Sequence, residues 1–249
     1  MSLRSAVLAI ALAALAATAP AAELTVSAAA SLGNAFAEIK VGYEAIHPGI
    51  RVRLNHGASG ALLQQIANGA PVDVFASADQ ETMDEAGRRG LVRAGERANF
   101  ARNTLVVVVP ADAAAVPGTL AALAAPGFRR IAIGLPASVP AGRYARAALE
   151  NAGLWQRIEP RVIGAQSVRQ VLDYVARGEV DAGFVYATDA ALLAGRVRTA
   201  FAVATPVPIV YPAAPLLGAA DPAAARRFVD HLLGPQAQSV LARHGFAKP

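Results

Sequence analysis

Short apolar segments typical of β-strands alternate along this chain with longer segments whose apolar residues recur at helical spacing. The first strand is predicted at residues 24–27. One face of the helix after it is apolar, formed by Leu32, Phe36, Ile39, Tyr43 and Ile46. Further strands are predicted at residues 50–55, 72–76, 105–110, 131–134, 161–164, 182–186 and 197–210, and closing helices at residues 223–233 and 236–244. This alternation predicts an α/β fold with parallel sheets.

Four of the predicted strand-to-helix junctions carry a serine or a proline where the helix begins. They contain Ser31, Ser59, Pro140-Ala141 and Ser167-Val168. A helix N-terminus leaves backbone N–H groups without partners and carries about half a unit of positive charge, so it attracts an anion unless a side chain covers it. Ser31 stands just before the first apolar helical residue, and it is predicted to be the N-cap. One such junction favours plain capping by the serine hydroxyl, whereas four together predict an anion site.

The position of residues 105–110 divides these junctions into two pairs. This segment is the most β-branched in the chain and contains no polar residue, so we expect it to be buried on both faces and to cross between two lobes. Each lobe would then contribute two helix N-termini to a cleft at the carboxyl ends of its strands. Four N-termini together supply roughly two units of positive partial charge, which suits a dianion.

Composition indicates export and excludes several classes of protein. Arg4, an apolar run over residues 6–17 and the sequence Ala19-Pro20-Ala21 fit a signal peptide, predicted at residues 1–21. The run is too short for a confident membrane span. The chain has no cysteine, which excludes disulfides, thiolate metal ligands and a lipoprotein anchor.

Charge gives no sign of a nucleic-acid partner. The net charge of +5 falls to +4 without Arg4, from 22 basic and 18 acidic residues, and the arginines are scattered rather than gathered in a stripe with aromatics. A metal site is not indicated either, because the histidines lack the spacing of a ligand set. They are His47, His56, His231 and His244. His56 could border the cleft, although a histidine in a loop is more often solvated.

Several short segments resemble the periplasmic molybdate-binding proteins of ABC importers, of the type II periplasmic binding protein family. The matching segments are Ala28-Ala29-Ala30-Ser31-Leu32, Ala58-Ser59, residues 69–80, Val139-Pro140-Ala141-Gly142, Ser167-Val168-Arg169, residues 183–190 and Gly234-Pro235-Gln236-Ala237. They follow in order through nearly all of the mature sequence. Several family members have a run of serines around the position of Ser59, whereas here Ala58 and Gly60 flank a single serine.

The resemblance implies a two-lobed periplasmic-binding-protein fold, each lobe a mostly parallel sheet flanked by helices, with the ligand cleft between the lobes. The first lobe would comprise residues 22–106 and 204–249, and the second residues 107–203. The expected function is capture of molybdate or tungstate in the periplasm by a monomer and delivery to the permease of an ABC transporter. No catalysis, cofactor or nucleic acid is implied.

The resemblance also implies which residues of this chain bind the ligand. Ser31 and Ser59 would each donate a hydroxyl and a backbone N–H, Ala141 and Val168 a backbone N–H from the opposite lobe, and Tyr186 its phenol. These five would ligate the molybdate oxyanion rather than a free metal ion. Without the resemblance, Tyr186 would be expected to be a buried tyrosine bonded to a backbone acceptor.

The charged residues next to these positions are expected to contribute less. Arg143 and Arg169 lie near the third and fourth junctions, and we expect both either to be solvated or to lie behind the residues that contact the ligand, and to add only long-range attraction. Asp189 is the residue that could introduce a carboxylate acceptor into a set made entirely of donors.

Two alternatives remain open from the sequence. The fold class also suits a binding protein for another oxyanion such as sulfate or phosphate. An enzyme is the second: Gly57-Ala58-Ser59-Gly60-Ala61 approaches the nucleophile elbow of α/β-hydrolases, with His231 or His244 later in the chain. However, Ala61 stands where that motif has its second glycine. A serine hydrolase using Ser59 is therefore the weaker hypothesis.

Overall fold

A computed structural model describes residues 21–249, so the predicted signal peptide lies outside the described residues apart from Ala21. The strands are β1 Ala22–Ala29, β2 Ile50–Gly57, β3 Val74–Ala76, β4 Ala98–Asn103, β5 Leu105–Pro110, β6 Ile131–Gly134, β7 Val162–Ala165, β8 Ala182–Tyr186, β9 Val197–Val203 and β10 Ile209–Pro215. The α-helices are α1 Gly33–Ile46, α2 Ser59–Ala67, α3 Gln80–Arg88, α4 Pro140–Asn151, α5 Trp155–Ile158, α6 Val168–Ala176, α7 Ala187–Leu192, α8 Pro222–Leu233 and α9 Pro235–Arg243. The 3₁₀ turns are Ala30–Leu32, Ala94–Glu96, Ala121–Ala124 and Glu159–Arg161.

The described strands form two five-stranded sheets with the same arrangement. Their orders are β2-β1-β3-β10-β4 and β7-β6-β8-β5-β9. In the first sheet only β10 runs against the other strands, and in the second only β5 does. The predicted α/β fold with two mostly parallel sheets is confirmed. We call each sheet with the helices packed on it the first and the second lobe.

The chain passes between the lobes twice. It leaves the first sheet at Thr104, which separates β4 from β5, and it returns between β9 and β10. All of β5 pairs within the second sheet, with β8 and β9. The crossing therefore precedes the β-branched segment instead of lying inside it, because β4 and β5 have different partner strands. The exact residue limits of the lobes stay a prediction.

The valines of β5 and the aromatic residues of the first lobe fill the two cores. Residues 105–109 are fully or almost fully buried, as the apolar run predicted. In the first lobe Phe36 of α1 contacts Phe100 of β4 and Phe228 of α8, with ring centroids 5.8 and 6.2 Å apart. These contacts bring together parts of the chain that lie before and after the second lobe in sequence.

The predicted and observed elements differ in two places. Residues 197–210 were expected to be one interrupted strand, but they belong to two strands in different sheets, with Pro206 and Pro208 in the connection. Proline lacks a backbone N–H and cannot continue a sheet ladder. Strand β4 was not predicted, since its sequence ANFARN has only two apolar residues at its centre, Phe100 and Ala101.

A glycine contact fixes where α4 begins relative to β6. A Cβ atom on Gly142 would lie 1.8 Å from the carbonyl oxygen of Gly134, which is far inside van der Waals contact. Only glycine lets the first turn of α4 approach the carboxyl end of β6 this closely. That approach places the N-terminus of α4 at the boundary between the lobes.

Candidate functional site

A small cavity lies between the lobes at the carboxyl ends of the strands. Its volume, measured as the space open to the centre of a water-sized sphere, is only about 10 Å³. Pockets for drug-sized ligands are far larger, so this cavity suits an ion of a few atoms. Its lining includes all the residues predicted to bind the ligand: Ser31, Ser59, Ala141, Val168 and Tyr186. The structure therefore brings together residues that lie up to 155 positions apart in the sequence, from Ser31 to Tyr186.

Ser31 is not the N-cap that the sequence predicted. It lies in the 3₁₀ turn Ala30–Leu32 between β1 and α1, and the cap position of α1 falls on Leu32. The side chain of Ser31 makes no capping hydrogen bond. Its Oγ instead lies 3.0 Å from the phenol oxygen of Tyr211. The turn separates the serine from the helix by one residue and so frees its hydroxyl for other partners.

Ser59 is the first residue of α2, and Ala58 occupies the cap position. No side chain caps this helix. The Oγ of Ser59 accepts a hydrogen bond of 3.0 Å from the backbone N–H of Ala78, which follows β3. The Ser59 side chain is fully buried. Because Ala78 occupies an acceptor site on the oxygen, the Ser59 hydroxyl is available to donate into the cavity.

The second lobe contributes two further helix N-termini. Ala141 follows Pro140 at the start of α4, and no side chain caps this helix. Val168 is the first residue of α6, where the Ser167 side chain accepts from the N–H of Gln170 and leaves the N–H of Val168 uncapped. By contrast, Asp79 and Asp221 cap the N-termini of α3 and α8. The lining of the cavity contains neither of these aspartates.

The phenol of Tyr186 is a buried donor without a partner. Tyr186 ends β8 and is 1% exposed, and its hydroxyl makes no hydrogen bond within the described residues. Leaving a buried hydroxyl unpaired costs about 1 to 3 kcal/mol, so such a group in a cavity indicates a missing acceptor. Burial raises the pKa of Tyr186 well above its ordinary value, with smaller effects in the same direction from neighbouring tyrosines and aspartates. The hydroxyl therefore keeps its proton and can donate.

Arg143 connects the two lobes and lies behind the cavity lining rather than in solvent, which is the second of the two positions expected from the sequence. From α4 it donates two hydrogen bonds to Asp79 Oδ2, at 2.6 and 3.0 Å, and one of 2.6 Å to Thr82 Oγ1. It also donates to the carbonyl oxygen of Pro136. The guanidinium thus neutralises a carboxylate of the first lobe, and Arg143 does not line the cavity.

Arg169 makes a second connection on α6. It pairs with Asp189 in its own lobe and donates across the cleft to Asn34 Oδ1 at 3.0 Å and to the Ser31 carbonyl oxygen at 3.3 Å. Burial raises the pKa of Asp189 to about 6, against the opposing effect of the Arg169 guanidinium. The Arg169 pair holds Oδ1 of this carboxylate, whereas Oδ2 is buried without a hydrogen-bond partner among the described residues. Asp189 does not line the cavity.

The lobes also meet through their backbones at Gly60. The N–H of Gly60 in α2 donates to the carbonyl oxygen of Ser138, ahead of α4, at 2.9 Å. A Cβ atom on Gly60 would lie 2.8 Å from that oxygen and 2.9 Å from Ser138 Cα. Together with the two arginine contacts, this hydrogen bond describes a closed arrangement of the lobes.

The geometry gives no support to the alternative of a serine hydrolase. No histidine lines the cavity around Ser59. His231 packs on Tyr43 with ring centroids 5.1 Å apart, and His244 bonds to Glu38 at 2.9 Å. His56 is exposed and does not line the cavity either.

Within residues 21–249, histidine and acidic side chains form no group of three that could hold a metal ion. No helix in the same range is long and apolar enough to cross a lipid bilayer.

Comparison with known proteins assigns the family. The sequence model of the bacterial extracellular solute-binding proteins matches residues 24–247, almost all of the described chain. The chain belongs to this family. Among its relatives is the molybdate-binding protein ModA of Escherichia coli, 36% identical over 231 residues that cover 90% of this chain and 88% of that protein. ModA of Mycobacterium bovis is 38% identical over 227 residues, covering 91% and 85%. The resemblance stated from the sequence is confirmed.

Solved structures agree on the fold of this solute-binding protein. The periplasmic molybdate-binding protein of Azotobacter vinelandii superposes with a TM-score of 0.76 at 28% identity, covering 91% of this chain and 99% of that one. The sulfate-binding protein SubI of Mycobacterium tuberculosis gives a TM-score of 0.80 at 20% identity, covering 91% and 87%. The second likeness concerns the fold alone.

Sequence reasoning missed three residues at the site of this solute-binding protein. Ala78 lines the cavity after β3, at a strand-to-helix junction that was not counted with the other four. Tyr211 contacts Ser31, and Asn103 contacts Tyr211 at 3.2 Å. The position of Ala78 after a strand could have identified it. Nothing in the local sequence of Tyr211 points to Ser31, which is 180 residues away.

The contact between Gly60 and Ser138 predicts that a Gly60→Ala variant folds but that its two lobes close poorly. In Gly60→Ala the added methyl group meets the Ser138 backbone only when the lobes are together, so each lobe can still fold. A ligand that closes the wild-type lobes should reduce the radius of gyration of this variant less, as small-angle scattering can measure. The variant's affinity for that ligand should fall roughly tenfold or more, because binding then requires a closure that the added methyl group opposes.

The matched control is Gly87→Ala, a helical glycine with nothing within 4 Å of the added carbon. It should close and bind like wild type. A Gly60→Ala protein that compacts and binds normally would contradict the closed arrangement.

Proposed function

We propose that this solute-binding protein captures molybdate or tungstate in the cavity between its lobes and delivers it to the permease of an ABC transporter. The ligand would be held by neutral hydrogen-bond donors: the hydroxyls of Ser31, Ser59 and Tyr186 and the backbone N–H groups at four helix N-termini. Relatives named as molybdate-binding proteins, at 36% and 38% identity, support this assignment of the ligand.

The observation that carries the proposal is the unpaired, buried phenol of Tyr186 among uncapped helix N-termini. A buried donor without an acceptor destabilises the closed state unless a ligand supplies the acceptor. Several such donors point at one small cavity, and each helix N-terminus adds positive partial charge. A compact dianion with oxygen on every side matches all of these groups at once.

The arginines near the site would act without touching the anion. Arg143 and Arg169 are engaged with carboxylates and with the opposite lobe, so they do not supply a direct counter-charge. Burying an ammonium or guanidinium group against the ligand would carry a large desolvation penalty, whereas the dipoles of a helix N-terminus are already oriented. This arrangement favours an ion that is fully deprotonated and accepts hydrogen bonds only.

Selectivity against phosphate would follow from the same donor set. Near neutral pH phosphate carries at least one proton, and burying that proton without an acceptor costs about 1 to 3 kcal/mol. Sulfate has no proton, so it would be rejected only because it is too small to reach all the donors. Sulfate is therefore the second candidate ligand, because size alone distinguishes it from molybdate.

The cellular setting follows from the family. Extracellular solute-binding proteins act outside the cytoplasm, and a cleavable signal peptide over residues 1–21 would provide export to the periplasm. We infer a monomer, because one chain supplies donors to both sides of the cavity. No catalytic role or nucleic-acid partner is part of the proposal.

The proposal predicts a distinct order of anion affinities. In calorimetric titrations of the mature protein, molybdate and tungstate should bind tightly, sulfate weakly and phosphate not detectably. Millimolar phosphate should not displace molybdate. Between about pH 7 and about pH 8 the affinity for molybdate should be nearly constant, because none of the donor groups titrates there. Phosphate binding as tight as that of molybdate would contradict a donor-only site, and no binding of any of the four anions would overturn the proposal.

The serines should each contribute measurably to binding. We expect Ser31→Ala and Ser59→Ala to weaken molybdate binding by about 1 to 3 kcal/mol, since each removes a charge-assisted hydrogen bond to a buried anion. Ser27→Ala is the matched control, a buried serine of β1 that does not line the cavity. It should keep wild-type affinity in the same calorimetric titration. Wild-type affinity in both cavity variants would remove the serines from the site.

A further inference from the structure

A chain of three polar side chains, the half-buried Asn103 and the buried Tyr211 and Ser31, leads from the crossing between the lobes to the cavity. Asn103 ends β4, immediately before the crossing at Thr104. Its amide nitrogen lies 3.2 Å from the phenol oxygen of Tyr211 on β10. That oxygen in turn lies 3.0 Å from Ser31 Oγ. Neither Asn103 nor Tyr211 lines the cavity.

The orientation of the Asn103 amide is fixed by its neighbours. Its oxygen accepts a hydrogen bond of 2.9 Å from the N–H of Thr104. Its nitrogen contacts Thr188 Oγ1 at 2.9 Å and the Tyr211 oxygen at 3.2 Å. With oxygen and nitrogen exchanged, the amide nitrogen would face the N–H of Thr104, donor against donor. Asn103 must therefore donate to Tyr211.

The number of donors and acceptors around Tyr211 then gives the direction of its hydrogen bond with Ser31. The Tyr211 oxygen already accepts from Asn103, and its own hydrogen needs an acceptor, because the side chain is completely buried. Among the described residues Ser31 Oγ is the acceptor within reach. Burial raises the pKa of Tyr211 well above its ordinary value, which keeps the phenol protonated. Tyr211 thus donates to Ser31.

We propose that Asn103 and Tyr211 are positioning residues that commit the Ser31 hydroxyl to donate into the cavity and thereby help to exclude protonated oxyanions. The inference rests on the proposed function and deepens it. Tyr211 occupies one of the two acceptor sites on Ser31 Oγ, so the serine hydrogen is not spent on Tyr211 and is available to the ligand. Fewer acceptor sites on this serine are then left for a proton carried by the ligand.

The same logic operates at the second serine through a different donor. The N–H of Ala78 occupies Ser59 Oγ, so both cavity serines are held as donors by protein groups behind them. A backbone N–H cannot be removed by substituting a side chain. The Tyr211 phenol can, which makes the Ser31 side of the cavity the place to test the proposal.

Tyr211→Phe removes the donor and keeps the ring that packs 5.8 Å from the ring of Tyr186. Both acceptor sites of Ser31 Oγ are then free, so the serine can more readily accept a hydrogen bond from a protonated ligand. We expect the affinity for molybdate to fall roughly five- to fiftyfold. In competition against molybdate, the affinity for hydrogen phosphate relative to the affinity for sulfate should rise about threefold or more. Sulfate serves as the size-matched anion without a proton.

The matched control is Tyr43→Phe. Tyr43 is fully buried, its hydroxyl makes no hydrogen bond although Arg227 lies nearby, and it does not line the cavity. This variant should keep the wild-type affinity and the wild-type order of anions. Thermal unfolding of each variant without ligand reports whether the fold is intact.

A double-mutant cycle provides a second readout that a purely structural role would not produce. If Tyr211 acts through the Ser31 hydroxyl, Tyr211→Phe should change molybdate affinity by less than about twofold in a Ser31→Ala background. Asn103→Ala should give a smaller loss than Tyr211→Phe, because the phenol can still donate to Ser31.

These outcomes distinguish the proposed roles of Asn103 and Tyr211, which we call the relay to Ser31, from the proposed function. If wild type binds molybdate but Tyr211→Phe retains full affinity, or loses affinity equally with and without Ser31, the relay is wrong and the proposed function stands. An unchanged ratio of phosphate to sulfate binding in Tyr211→Phe likewise overturns it. If wild type binds none of the oxyanions, the proposed function fails and the relay fails with it.

Discussion

Buried hydrogen-bond donors without acceptors are the constraint on which the rest of this structure depends. Four helix N-termini and the phenol of Tyr186 line one small cavity. Three of these N-termini have no side-chain cap, and at the fourth Ser167 caps the N–H of Gln170 and leaves that of Val168 uncapped. Asp79 and Asp221, by contrast, cap two helices and do not line the cavity. Such donors are costly in an empty, closed cavity and favourable around an anion. In the proposed function, the closed state therefore depends on a ligand that accepts hydrogen bonds on all sides.

Two features of the fold allow these donors to lie around one cavity. Backbone segments approach each other closely at two glycines, and the nearby arginines are already bound to other protein groups. Gly142 lets α4 begin against the end of β6, and Gly60 lets the two lobes touch through their backbones. Arg143 and Arg169 are placed where a direct salt bridge to the ligand might be expected, yet both join the lobes instead. The affinity for a ligand and the closure of the lobes are therefore coupled. The hydrogen bonds that join the lobes surround the residues proposed to bind the ligand.

Sequence reasoning located the backbone elements of the site well and its side-chain network poorly. Strand-to-helix junctions are local patterns, so the positions of Ser59, Ala141 and Val168 at helix starts followed from periodicity and turn residues. The cap at Ser31 was wrong because a 3₁₀ turn separates this serine from α1, a difference of one residue that periodicity cannot resolve. That single turn redirects the hydroxyl from capping to Tyr211.

The remaining differences depend on contacts between distant parts of the chain. For Arg143 the sequence left open solvent or a position behind the cavity, and only the folded arrangement of the two lobes places it on Asp79. Asn103 of β4, Tyr211 of β10 and Ser31 of the turn after β1 meet only in the folded first lobe. Hydrogen-bond direction in such a network follows from counting donors and acceptors in the assembled structure, which no local pattern contains.

The most direct test of the central claim is the position of the bound anion. A crystal structure of the mature protein with molybdate, with the metal located by its anomalous scattering, should place one anion in this cavity. Its oxygens should lie within about 3.2 Å of the hydroxyls of Ser31, Ser59 and Tyr186 and of the N–H groups of Ala141 and Val168. No arginine should touch it. An anion held directly by Arg143 or Arg169, or bound outside the cavity, would contradict the account.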